Sequence, residues 1–187
     1  MKSATKTVWL LRHAKTVTDP PPGGSDFDRV LAPRGRRDAT ALGAQFASAG
    51  DGLPPALRQA PRPTVALISP AARTSATADL VLAHVNGPLE RRLTEDLYQA
   101  DPQDVMEMLA NLDDAVDAVM VVGHNPTAQA LSVGLIDPDD KKGCALATKA
   151  GFPTCALGVY AFAIDRWSDI DPRSARLIGL VTPPYES

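Results

Sequence analysis

Three short apolar runs restrict this chain most: "TVWLL" (7–11), "TVALIS" (64–69) and "AVMVVG" (118–123). Each is rich in β-branched residues and almost unbroken in apolarity. A strand with one wet face alternates apolar and polar residues, whereas a strand covered on both faces reads as such a run. Helical patterns lie between them. Residues 34–49 carry Ala39, Leu42 and Phe46 at helical spacing and stop at Gly50. In "SPAARTSATADLVLAHVNG", Ser69 can cap, Pro70 suits the first helical position, and Gly87 ends the pattern. "DPQDVMEMLANLDD" repeats that grammar with Asp101 and Pro102, and Val105, Met108, Leu109 and Leu112 form one apolar stripe. "HNPTAQALSVGL" does so again with Asn125 and Pro126. Strands alternating with helices predict a three-layer α/β/α sandwich around a mostly parallel central sheet.

Two further apolar runs follow, "CALGVYAFAI" (155–164) and "RLIGLV" (176–181). Two stretches read as irregular. "TDPPPGGSDFD" (18–28) has too much proline and glycine for a helix or a central strand. "PDDKKGCALATKAGFP" (138–153) is polar and reads as a surface excursion. The tail "TPPYES" is expected to fray. No composition break separates two units, so 187 residues are read as one domain, with its core at about 7–181.

A formal net charge of -3 gives no general attraction to nucleic acid or to an anionic membrane. No run approaches the roughly 18 apolar residues of a membrane span, and Val8 to Leu11 is too short for a secretory signal. A cytoplasmic protein is expected. Cys144 and Cys155 could pair, but two thiols in a chain of this size make no disulfide framework.

In an open parallel sheet, ligands bind beyond the carboxyl ends of the strands. The first run ends in Arg12-His13, the second leads through Ser69-Pro70 to Arg73, and the third ends in Gly123-His124-Asn125. Two histidines and two arginines from three strands therefore converge on one rim, beside helix N-termini. That set suits an anion, and phosphate fits the planar fork of arginine. A neutral imidazole can attack phosphorus and carry the phosphoryl group covalently. A second, protonated, can hold an oxygen as charge shifts. Spacing alone does not say which histidine does which.

"LLRHAKT", "ISPAART" and "VVGHNPT" resemble, in this order, the Arg-His-Gly/Ala, Ser-Pro-x-x-Arg and second-histidine motifs of the histidine phosphatase superfamily. The resemblance runs from Val8 to about Ile164 and implies a phosphoglycerate-mutase-like fold. The short length, "LYQADPQDV" and "FPTCAL" look most like the compact, SixA-type phosphohistidine phosphatase branch. The resemblance implies that His13 is the nucleophile and that Arg12, Arg73 and His124 complete the phosphate pocket. Glu95 in "RLTEDLYQA" stands at the position of the general acid of larger members, and the compact branch often works without one. Asp28 and Arg29 resemble a stretch beside the pocket, with Arg29 in a supporting role in substrate binding. Ala14 replaces the commoner glycine, so its φ should be negative.

By the same resemblance the partner is a phosphorylated protein bearing phosphohistidine. The alternatives are a phosphomonoesterase acting on a small phosphorylated metabolite, such as a sugar or nucleotide phosphate, and a non-catalytic phospho-binding protein on this scaffold. "DFD" (26–28) mimics an aspartyl-phosphatase signature, but no strand precedes it. Ala150 and Ala161 stand where a cysteine phosphatase would need arginine after Cys144 and Cys155. No H-E-x-x-H, C-x-x-C or P-loop pattern occurs, so neither a catalytic metal nor an organic cofactor is expected. His84 and the Met106–Met108 pair read as structural.

Overall fold

The apolar runs become strands of one six-stranded sheet in a computed structural model that describes residues 5–47, 53–85 and 87–185. The strands are β1 (Lys6–Arg12), β2 (Val65–Ile68), β3 (Glu90–Leu93), β4 (Ala118–Gly123), β5 (Leu157–Phe162) and β6 (Arg176–Val181). They lie in the order β3-β2-β4-β1-β5-β6. The pairs β3–β2, β2–β4 and β4–β1 are parallel, whereas β5 runs antiparallel to both β1 and β6. The helices are α1 (Pro33–Ala47), α2 (Pro55–Gln59), α3 (Ala72–Leu82), α4 (Pro102–Ala110), α5 (Thr127–Gly134) and α6 (Lys141–Ala150). This is the mixed α/β sandwich that the alternation predicts.

Apolarity on both faces has the expected cause. Val8, Leu10, Val119 and Val121 enter the core on one side of the sheet, and Trp9, Leu11, Met120 and Val122 enter the core on the other. Each fully buried side chain of this size contributes about 1.5–3 kcal/mol relative to exposure. Both tryptophans keep their N–H groups bonded: Trp9 Nε1 donates to the Pro61 carbonyl at 2.9 Å and Trp167 Nε1 to that of Val116 at 2.7 Å. Met106 and Met108 pack against the core from α4, as expected.

Several local expectations are corrected. Residues 138–153 hold α6, whose buried positions include Gly143 and Ala147. A stripe of such small residues gives little hydropathic signal while allowing close packing: a Cβ on Gly143 would lie 3.0 Å from that of Leu177 in β6. β3 was invisible because "ERRL" is a charged edge strand paired only with β2. Asp101 caps α4 as read, in a capping box with Asp104. Ser69 does not cap α3, which begins at Ala72 with no side-chain cap. The tail is anchored as far as Tyr185, whose hydroxyl donates to the Cys155 carbonyl. Both cysteines are free. The stop expected at Gly50 lies outside the described residues.

One close approach fixes the loop after β1. The Lys15 carbonyl accepts from Ala32 N–H at 2.9 Å, and α1 then begins against that loop. A Cβ on Gly35 would stand 2.0 Å from the Lys15 carbonyl oxygen. Only glycine lets the first turn of α1 lie on this backbone. Gly35→Ala should therefore destabilise the fold by about 2 kcal/mol, lowering Tm by roughly 4–8 °C in a thermal melt. An unchanged Tm would contradict this packing.

Candidate functional site

Register builds the site. Arg12 at the end of β1 pairs with Gly123 at the end of β4, and His13 N–H donates to the Gly123 carbonyl at 3.0 Å. Ile68 pairs with Val122, so Ser69 also leaves the sheet at this level. The residues after three parallel strands therefore share one rim. The His13 and His124 rings end up with centroids 5.3 Å apart.

His13 is held in one tautomer. Its Nδ1 lies 2.8 Å from the Ala14 carbonyl oxygen, which can only accept. Nδ1 therefore carries the proton in the neutral ring, and Nε2 keeps its lone pair. Burial pushes the His13 pKa down to about 4, against the raising effect of the Ala14 hydrogen bond and with help from Arg73, Arg12 and Arg29. Ala14 is buried with negative φ, as expected, and its N–H donates to Thr77 Oγ1 at 2.9 Å. Thr77 in turn donates to the Arg73 carbonyl at 2.6 Å, tying the His13 turn to α3.

Both ring nitrogens of His124 are engaged. Arg73 Nε donates to Nδ1 at 3.2 Å, and Nε2 lies 2.8 Å from Ser69 Oγ. The arginine can only donate, so the ring is neutral with its proton on Nε2, directed at Ser69. Burial lowers the His124 pKa to about 3, and Arg73 adds to this. The expectation of a protonated second histidine thus does not describe the ligand-free site. An incoming dianion would change that balance by favouring the charged form.

Arg73 is nearly buried and central. Besides His124 it donates through Nη1 to the Asp26 carbonyl at 2.6 Å and through Nη2 to the Asp26 carboxylate at 2.9 Å. One N–H on each terminal nitrogen remains for an oxyanion. Arg12 Nη1 donates to the Phe152 carbonyl at 2.9 Å, while Nε is buried with no hydrogen-bond partner among the described residues. An unsatisfied buried donor costs about 1–3 kcal/mol, so this N–H suits an anionic acceptor.

These side chains line one depression of about 330 Å³, with Lys15, Thr16, Asp26, Arg29, Asn125 and Thr154. Arg29 forms part of its wall, donating to the Val17 carbonyl at 2.8 Å, to Thr16 Oγ1 at 2.7 Å and to Asp26 Oδ1 at 2.9 Å. Asp28 instead accepts from Ser25, away from the pocket. Glu95 does not join the set. It is exposed and lines a neighbouring hollow with Asp96, Asp104 and Glu107.

Three participants escaped the sequence reading. Asp26 opens a short 3-10 helix (Asp26–Asp28) and is the one carboxylate among the described residues lining the pocket. Tyr98 donates to Asp26 Oδ2 at 3.1 Å, with its ring edge-on to His124 at 5.5 Å. Ser69 was recognised within its motif but read as a helix cap. The Ser69 motif carried a signal; Asp26 and Tyr98 come from surface segments whose meeting no local pattern encodes.

No family model matches the chain. An uncharacterized protein of Mycobacterium tuberculosis is 34% identical over 175 residues, which cover 92% of this chain and 99% of the relative. A candidate phosphohistidine phosphatase SixA from Agrobacterium tumefaciens superposes with a TM-score of 0.73 at 31% identity, covering 95% of this chain and 98% of that one. Another, from Nakamurella multipartitia, gives a TM-score of 0.77 at 24% identity, covering 98% and 99% respectively, and speaks for the fold alone.

The imidazole environments are open to direct measurement. In an NMR titration of the ligand-free protein, His13 should show a midpoint near pH 4 and His124 near pH 3. Sulfate, which stays a dianion across this range, should raise both. A midpoint for either ring at the ordinary value of about 6.5 would contradict the environments described.

Proposed function

Because the chain belongs to the histidine phosphatase superfamily, we propose that it is a cytoplasmic phosphatase whose substrate is a phosphohistidine presented by another protein. The observation that carries the reading is the tautomer of His13. Its proton sits on Nδ1 beside the Ala14 carbonyl, and Nε2 keeps a lone pair in a pocket walled by Arg12, Arg73 and His124. A nucleophile must be unprotonated before it attacks, and burial among cations secures that at neutral pH.

The chemistry then follows in two displacements. His13 Nε2 attacks phosphorus, an N–P bond forms, and the bond from phosphorus to the leaving nitrogen breaks. Arg12 and Arg73 hold the phosphoryl oxygens as charge spreads over them, joined by His124 once the incoming dianion has favoured its charged form. The leaving imidazole departs neutral, carrying the proton that made it a good leaving group. Water next attacks the phosphoryl group on His13, releasing inorganic phosphate and restoring the lone pair. No dedicated general acid is required, which agrees with Glu95 standing outside the pocket. An alkyl phosphate ester would need such an acid, so a small-metabolite phosphomonoesterase is the weaker reading.

Brief incubation with a ³²P-labelled phosphohistidine protein, quenched in alkali, should leave base-stable, acid-labile label on the wild-type chain. His13→Ala should carry none. Label that persists on the His13→Ala protein would reject the assignment. Arg73→Ala should lower turnover by about 10²–10³-fold, the cost of removing one ligand of the developing charge. Loss of only a few-fold would place Arg73 outside the reaction.

A further inference from the structure

The pocket has a gradient of depth. Arg73 lies at its base with a side chain 9% exposed, whereas the Asp26 side chain is 55% exposed at the mouth. A phosphoryl group drawn to Arg12, His13 and Arg73 must therefore leave the rest of its substrate facing outward, past Asp26. That carboxylate is fixed from three sides: Arg29 Nη1 donates to Oδ1 at 2.9 Å, and Arg73 Nη2 and Tyr98 Oη donate to Oδ2 at 2.9 and 3.1 Å. Its backbone carbonyl is also held by Arg73. A group that served only to position Arg73 could be buried. This one keeps half its surface toward solvent, in a wall whose other charged residues are Arg12, Lys15, Arg29 and Arg73.

We propose that Asp26 is a specificity-determining residue, which favours a phosphoryl group attached to a positively charged or protonated moiety over one attached to a neutral or anionic moiety. In the proposed reaction, on which the substrate half of this inference rests, that moiety is a protonated imidazole. Its charge would sit where a fixed carboxylate faces it. Lys15 also lies at the mouth and carries the opposite charge, but on an exposed four-carbon stem that can turn away. Asp26 cannot turn away without giving up three hydrogen bonds. The Asp26 carboxyl is held below its usual range by the Arg29 hydrogen bond first, with Arg73 and Tyr98 contributing, so it acts as a charge and not as a proton donor at neutral pH.

The test uses inert ligands, so it does not depend on turnover. 2-Aminoethylphosphonate and n-propylphosphonate have the same heavy-atom skeleton, and only the first ends in a cation. The wild-type chain should bind the amino compound about fivefold more tightly in calorimetry at pH 7.5, the size of one partly exposed charge pair. Asp26→Asn, which keeps an amide oxygen for Arg73, should bring the two Kd values together. High salt should shrink the preference in the wild type without any substitution. Equal Kd values in the wild type, or a preference unchanged in Asp26→Asn, would overturn the assignment. A purely positional role would weaken both ligands alike and leave their ratio intact. If the wild type shows the preference but does not turn over phosphohistidine protein, the role of Asp26 stands and the proposed substrate falls. If it binds neither phosphonate, the phosphate pocket itself is wrong.

Discussion

The parallel pairing of β1 with β4 is the constraint on which the site depends. It sets Arg12 opposite Gly123, and so delivers His13 and His124 to the same rim from positions far apart in the chain. Alternation of side chains across the sheet enforces that register, because a slip by one residue would exchange the two core faces. If β1 slipped against β4, Val8 and Leu10 would have to trade places with Trp9 and Leu11. Tryptophan and valine differ too much in volume for close-packed cores to accept that exchange. Hydrophobic packing beneath the rim thus determines the placement of polar groups that take no part in it.

The polar groups so placed are not in their most comfortable states. Both imidazoles are kept neutral by burial, beside guanidinium groups that oppose a further positive charge. Their folded pKa values lie below those of the unfolded chain, so the unfolded state binds more protons between the two. The associated stability is complete above the unfolded value of about 6.5 and is lost as pH falls through about 4 for His13 and about 3 for His124. The same burial that keeps a lone pair on His13 Nε2 makes the fold vulnerable to acid. A bound dianion would relieve this tension by supplying the opposite charge.

Five of the six strands and the inner wall of the pocket could be read from residue order, while β3 and, apart from Arg29, the outer wall could not. Arg12, His13, Arg73 and His124 follow strand ends or open a helix, and strands announce themselves through unbroken apolarity. Ser69 shows how local grammar misleads: serine before proline reads as a helix cap, yet its hydroxyl meets the ring of a residue far along the chain. Asp26 and Tyr98 meet across seventy-two positions, from two 3-10 segments with no periodic signal. α6 was missed for another reason, since glycine and alanine make a packed face without making an apolar one.

The two walls are therefore under different physical control. The inner wall follows from sheet register, and changing it would disturb the core. The outer wall is a loop that leaves β1 and returns through the Thr16–Leu31 bridge, with no buried residue in its 3-10 turn. Arg29 and Asp26 hold it in place by polar contacts, and Phe27 adds an edge-to-face contact with the Tyr98 ring at 5.0 Å. Arg73 joins the walls, giving one nitrogen to His124 and the other two to Asp26. A substitution in the loop can therefore alter what approaches the phosphorus, with Arg73 as its route of influence on the imidazoles, while the packing that sets their separation stays as it was.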